Sequence, residues 1–159
     1  MWEGILAAGK DDGVLPIGLA ARDSLRFEAC MPLYGHEIDA SITPVEAGLG
    51  FALGLGKEFI GRDALLKQKL EKSGRVQIGF EMVDKGVARE HYKVLFNGEE
   101  VGHVTSGMFS PTTRKYLGMA LVTRDASAVG TEIEIVVRDK PLKAKVVKKP
   151  FYIPAYRRK

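Results

Sequence analysis

Two arginines, Arg22 and Arg26, stand four residues apart in the run GLAARDSLRFEA from Gly18 to Ala29. On a helix that spacing puts both guanidinium groups on one face. A guanidinium is planar and permanently charged, and it grips a carboxylate or the edge of a heterocycle through paired hydrogen bonds. Two side by side repel unless an anion joins them. The pair therefore reads either as an anion anchor or as a solvated face on which Asp23 offsets Arg26 at i,i+3. Arg89, in VAREHY, is either a ligand contact or an exposed loop charge. Tyr34, in MPLYGHE, offers a ring and a hydroxyl to a pocket, or packs in a core. Tyr156, Arg157 and Arg158 belong to the closing YRRK, which by composition is a basic tail.

Other reactive types carry less. Cys30 is the single cysteine, so an intrachain disulfide is impossible, and beside Met31 it reads as a small apolar residue rather than a nucleophile. His36, His91 and His103 lack metal-ligand spacing and read as structural or surface groups. Asp11-Asp12 and Glu99-Glu100 fall in turn-like sequence and do not form an acid–base pair. The Gly48-Leu49-Gly50 run lacks the strand–turn–helix setting of a dinucleotide loop, and no Ser-His-Asp or Walker pattern is present.

The elements that must hold these residues change character along the chain. A short helix is expected over residues 2–9. Ala20 to Cys30 reads as a second helix, ended by Pro32 and Gly35. Thr43-Pro44-Val45-Glu46 is a capping signature before a short helical turn, because Gly48, Gly50, Gly54 and Gly56 follow. Arg62 to Ser73 is a further helix, with an apolar stripe through Leu65, Leu66 and Leu70 and a stop at Gly74. From Val76 the period becomes two. Asn97-Gly98 marks a hairpin between Tyr92–Phe96 and Glu100–Thr105. Leu117 to Val122 is a strand, and Asp139-Lys140-Pro141 marks a second hairpin between Glu132–Arg138 and Leu142–Val147. Such a run of strands predicts a small antiparallel barrel or sandwich. The fold class is therefore α+β, divided into residues 1–56, a connecting helix over 57–74, and a β unit over 75–159.

The 159 residues are 45% hydrophobic, which suits a packed core rather than disorder. No apolar run approaches the roughly 20 residues that span a bilayer, and no secretory signal is visible. Residues 1–56 carry three basic and eight acidic residues, a net of −5, while residues 57–159 carry 21 and 12, a net of +9. That asymmetry suggests two units with different surfaces and an anionic partner for the second: a polyglutamyl tail, an acidic protein or nucleic acid.

Six ordered blocks resemble one family. They are G-L-x-A-R-D-x-L-R-x-E-A (Gly18–Ala29), M-P-L-Y-G-x-E (Met31–Glu37), T-P-x-E-A-G-L (Thr43–Leu49), F-I-G-R-D-A-L-L (Phe59–Leu66), G-x-V-T-S-G-x-x-S-P-T (Gly102–Thr112) and V-V-K-K-P-F-Y (Val146–Tyr152). Together they resemble the C-terminal part of the aminomethyltransferase, or T-protein, of the glycine cleavage system. The resemblance implies part of a folate-binding domain followed by a small antiparallel barrel. It implies transfer of a one-carbon unit from aminomethyl-lipoyl H-protein to tetrahydrofolate with release of ammonia. The partners implied are lipoylated H-protein and tetrahydrofolate, with no metal, membrane or nucleic acid. The setting implied is the cytoplasm of a bacterium or a eukaryotic mitochondrion. Arg22 matches the family's folate-contacting A-R-D arginine. Arg89, Tyr156 and Arg158 match positions near the site, Tyr34 lies in the matched M-P-L-Y-G block as a candidate pocket residue, and Arg26 reads as structural. Phe51 stands where many relatives have Trp. The family's catalytic aspartate and pterin-binding glutamate match nothing here, so the chain alone is expected to be inactive. C-terminal modules of sarcosine and dimethylglycine dehydrogenases and a folate-dependent iron–sulfur maturation protein look similar. The maturation protein's K-G-C-x-x-G-Q-E block is replaced by GKEFIGRD at Gly56–Asp63. A non-catalytic binding or assembly barrel is the alternative from a different class.

Overall fold

The computed structural model describes residues 1–72 and 74–154. Ser73, where the third predicted helix was to end, lies outside them. Three helices come first: α1 (Trp2–Ala8), α2 (Leu19–Glu28) and α3 (Arg62–Glu71). Six strands follow: β1 (Arg75–Met82), β2 (Lys93–Phe96), β3 (Glu99–Phe109), β4 (Tyr116–Thr123), β5 (Glu132–Val137) and β6 (Lys140–Val147). They close an antiparallel barrel in the order β1-β4-β3-β2-β5-β6, with β6 returning to β1. Closure leaves no sheet edge to template aggregation.

The period-two pattern explains the interior. Ile78, Phe80 and Met82 of β1, Ile133 and Ile135 of β5, and Ala144 and Val146 of β6 point inward with Val94, Val104, Ala120 and Val122. Strand β4 departs from simple alternation because both of its faces are covered. Ala120 and Val122 face the barrel core, while Leu117, Met119 and Leu121 face outward against the first 56 residues. Leu117 and Met119 meet Phe27 of α2, and Leu121 meets Ile42 and Ala47. Burying each of these outward side chains contributes about 2 kcal/mol. The continuous apolar run LGMALV is the sequence signature of this double burial.

The Asn97-Gly98 turn forms as expected, with both residues at positive φ (53° and 82°). The second hairpin turns one residue earlier than the sequence suggested. Arg138 and Asp139 take the left-handed positions (φ 49° and 64°), and Val137 pairs with Lys140. Pro141 then falls opposite Val136, the pair next to the one that closes the turn. Pairs alternate between bonded and non-bonded, so its missing N–H is not needed there.

Helix α2 also ends earlier than predicted, at Glu28 rather than Cys30. The Met31 N–H donates to the Arg26 carbonyl (2.8 Å) and the Cys30 N–H to that of Phe27 (2.9 Å), with Cys30 in the left-handed region at φ 53°. This is a Schellman motif with cysteine where glycine is usual. The apolar stripe predicted for α3 is not buried. Leu70 faces solvent, and α3 contributes no fully buried residue.

The G-x-V-T-S-G block has a steric origin. A Cβ on Gly102 would strike the Leu121 carbonyl across the β3–β4 ladder, and one on Gly107 would strike the Ala88 carbonyl. Both contacts are with backbone, which cannot swing aside. Gly102→Ala is expected to cost about 2 kcal/mol of unfolding free energy, measured by urea denaturation; an unchanged midpoint would show that β3 and β4 are not so closely apposed.

Candidate functional site

Three buried glutamates join the first unit to the barrel: Glu28, Glu37 and Glu46. Buried carboxylates must be paired or hydrogen-bonded, and each of these is, mostly from elements far along the chain. Glu28, at the end of α2, accepts from the Ser110 hydroxyl (2.6 Å), the Thr112 hydroxyl (2.7 Å) and the Thr112 amide (3.0 Å). Glu37 accepts from Arg26 (2.8 Å), the Leu33 amide (3.0 Å) and the Ser106 hydroxyl. Glu46 accepts from the Thr43 amide (2.9 Å) and from Arg75 (Nε, 3.0 Å), while its own amide donates to Thr43 Oγ1 (3.2 Å). The predicted capping box therefore forms, and its carboxylate also anchors the start of β1.

A β-bulge makes the Glu37 contact possible. Val104 pairs with Ala120 and Ser106 with Met119, leaving Thr105 as the extra residue. Without that insertion strict alternation would turn Ser106 into the barrel; with it, Ser106 faces outward toward Glu37 and Arg26.

Burial raises the Glu28 carboxyl, but the Ser110 hydroxyl and the Thr112 hydroxyl and amide outweigh it and hold the group below the usual carboxylate value. Burial likewise raises Glu46, and the Thr43 amide and Arg75 bring it below the usual value. Cys30 goes the other way: burial pushes its thiol up to about 11. That fits the expected apolar role, since little thiolate forms near neutrality.

Above this seam α2 roofs an open apolar cavity of ≈ 840 Å³. Ile17, Leu19, Leu25 and Met31 line it with Arg22, and Glu28, Thr112, Tyr152 and Pro154 form its other walls. The Phe27 and Phe151 rings lie 5.2 Å apart, and the Tyr152 amide donates to the Glu28 carbonyl (3.1 Å), which carries the segment after β6 to the cavity. Arg22 projects from the exposed face of α2, with no hydrogen-bond or ion-pair partner for its side chain among the described residues. Arg26 differs. It is 11% exposed and held by Asp23 (2.7 Å), Glu37 and Ser106, so the i,i+3 pair exists but Arg26 itself is not solvated.

The remaining predicted site residues do not gather around Arg22. Arg89 lines a separate depression with Asp23, His36 and Glu90. Tyr34 is 75% exposed, which excludes the core-packing reading, and it lines neither of these cavities. Phe51 is exposed on a single 3-10 turn, Gly50–Ala52. Tyr156, Arg157 and Arg158 lie outside the described residues. Tyr152 and Thr112 line the cavity although sequence reasoning did not select them. Both sit at the ends of matched blocks, which is the signal that could have found them.

Part of the positive charge of the second unit is offset in place. Glu132 and Glu134 of β5 stand opposite Lys145 and Lys143 of β6. Lys93 pairs with Glu100 and Lys115 with Glu81, each at 2.8 Å. Among the described residues no group of three or more His, Cys, Asp or Glu could hold a metal ion, and no helix is long and apolar enough to cross a membrane.

Comparison with known proteins agrees with this architecture. Residues 75–152 match the glycine cleavage T-protein C-terminal barrel domain, and residues 1–57 match the GCVT N-terminal domain. The chain belongs to the glycine cleavage T-protein family. It is 55% identical over 154 residues to an aminomethyltransferase of Geobacillus sp. (strain WCH70), covering 96% of this chain and 42% of that relative. It is 53% identical over 160 residues to one of Symbiobacterium thermophilum, covering 99% of this chain and 43% of that relative. The crystal structure of the glycine cleavage system aminomethyltransferase T from Bartonella henselae superposes with a TM-score of 0.82 at 33% identity, over 91% of this chain and 41% of that one. This T-protein chain thus spans less than half the length of the curated relatives it matches.

Removing Glu37 would strand a buried Arg26 and the Ser106 hydroxyl. Glu37→Ala is expected to cost about 3 kcal/mol, read from urea midpoints. Because Glu28 and Glu46 are held below their unfolded value, their contribution is complete above that value and is lost as pH falls through it. Stability should therefore decline steeply below about pH 4.5, with a shallower decline in Glu28→Gln; identical acid profiles would contradict the assignment.

Proposed function

We propose that this chain supplies one wall of the folate site of a tetrahydrofolate-dependent aminomethyltransferase. In that reading the whole enzyme takes the aminomethyl group from the lipoyl arm of H-protein, passes the one-carbon unit to tetrahydrofolate and releases ammonia. The observation that carries the reading is Arg22: a cation unpaired among the described residues, at an apolar cavity large enough for a drug-sized ligand. A flat pterin with an anionic glutamyl tail needs an apolar surface for its ring and a fixed positive charge for its carboxylates. The α2 face offers both within one helix. The relatives named aminomethyltransferase support the choice of chemistry, and their bacterial origin favours a cytoplasmic enzyme.

The roles follow from position. Arg22 anchors the tail. Leu25 and Met31 offer apolar contact to the ring, and Tyr152 closes the far wall. By the family resemblance Tyr156 and Arg158 are further folate contacts, while Arg89 and Tyr34 stand further out and engage the tail or the H-protein surface. The catalytic carboxylate belongs to the part of the family's length not matched by this chain, so this chain binds and orients rather than catalyses.

In the enzyme that contains this segment at full family length, Arg22→Ala should raise the tetrahydrofolate dissociation constant about tenfold or more, the loss of roughly 1.4 kcal/mol. The circular dichroism spectrum should not change, because Arg22 holds no other described residue. An unchanged dissociation constant would overturn the anchor assignment.

A further inference from the structure

The three histidines, which by spacing read as structural or surface groups, line one small cavity. His36 comes from the segment after α2, His91 from the loop before β2 and His103 from β3, around ≈ 70 Å³ on the seam between the first unit and the barrel. His36 Nδ1 lies 3.0 Å from a Glu90 carboxylate oxygen and 3.3 Å from the Thr105 carbonyl. Both neighbours are acceptors, so Nδ1 carries the proton. His91 Nε2 lies 3.8 Å from the same Glu90 oxygen. One carboxylate therefore serves two imidazoles, and the third must find its own balance.

That third group is His103, pinned beside Leu121 of β4 and Lys93 of β2 in the barrel register. Arg75 faces it from β1, Glu100 from its own strand, and Glu90 and His91 from the loop. Asp39 and His36 face it from the segment above. Lys93 is occupied by Glu100, Asp39 by the Ser41 amide and hydroxyl, and Arg75 by Glu46. Burial, then Arg75, then His91 disfavour a charge on His103, and Asp39 and Glu100 do not make up the difference. A proton there adds positive charge to a half-buried seam whose carboxylates are already engaged.

We propose that this cluster is a proton-sensitive latch that closes residues 33–49 over the barrel while His103 is neutral and releases them when His103 is protonated. The sign follows from linkage. A histidine held below its usual value binds fewer protons in the closed form than in the open one, so the contribution of His103 to closure is fully present above about pH 6.5 and is lost as pH falls from there toward its lowered value. The released segment carries Glu37, which holds Arg26 in α2, so acid at His103 reaches the roof of the large cavity by way of the Glu37–Arg26 pair.

The test is amide exchange in the whole chain, followed by NMR at pH 7.5 and 5.5 and corrected for the intrinsic pH dependence of exchange, together with titration of the three imidazole resonances. Residues 33–49 should lose protection severalfold at pH 5.5 relative to β4, and His103 should titrate below the other two. His103→Gln should abolish the acid response of the segment. If His103 titrates at or above the ordinary histidine value, if residues 33–49 and β4 lose protection equally, or if His103→Gln keeps the full response, the proposal fails. Should the glutamine variant not fold, the imidazole titration of the unaltered chain decides alone.

Discussion

A carboxylate taken out of water has to be compensated where it lies, and that constraint organises this molecule. Glu37 is almost completely buried, and its partners Arg26 and Ser106 come from a helix and from a barrel strand. Glu28 and Glu46 repeat the arrangement at either side. Removing a partner from such a cluster costs far more than the cluster contributes over apolar packing. The glutamates therefore fix where the first unit sits on the barrel more than they add to overall stability. The apolar contacts of Phe27, Ile42 and Ala47 with the outer face of β4 supply attraction without direction; the carboxylates supply the register.

The site inherits its shape from this seam. Helix α2 has two working faces: Arg26, Phe27 and Glu28 turn toward the barrel, and Leu19, Arg22 and Leu25 turn away. Because the inner face is clamped, the outer face is presented at a fixed height above Thr112 and Tyr152, which enlarges one side of a cavity rather than closing it. Arg22 and Arg26, identical in type and four apart, end in opposite roles because only Arg26 reaches a buried carboxylate.

Much of the fold could be read from the chain, for local reasons. Asn97-Gly98 demands two left-handed residues, and Thr43-Pro44-Val45-Glu46 caps a turn wherever it occurs. The errors arose where distant contacts overrode local preference. Cys30 and the Arg138-Asp139 turn adopt left-handed backbone without glycine, so their sequences gave no signal for where α2 stops or where the last hairpin reverses. Leu65, Leu66 and Leu70 form a helical stripe that meets no fully covering surface. For the site, helix spacing pointed to Arg22 and Arg26 but could not separate their roles. Burial of Glu28 and Glu37 was invisible because a glutamate's type says nothing about what surrounds it. The meeting of His36, His91 and His103 depends on closing the barrel and docking the first unit on it, neither of which is written in any short stretch.

The central claim is that residues 19–49 and the barrel behave as one body through the buried carboxylates. Hydrogen exchange of α2 and β4 in the whole chain at neutral pH, with and without Glu37→Ala, tests it most directly. The account predicts that α2 amides exchange with an opening free energy close to that of β4 in the unaltered chain, and that Glu37→Ala lowers α2 protection selectively while β4 stays protected. Unprotected α2 amides in the unaltered chain, beside a protected β4, would contradict it.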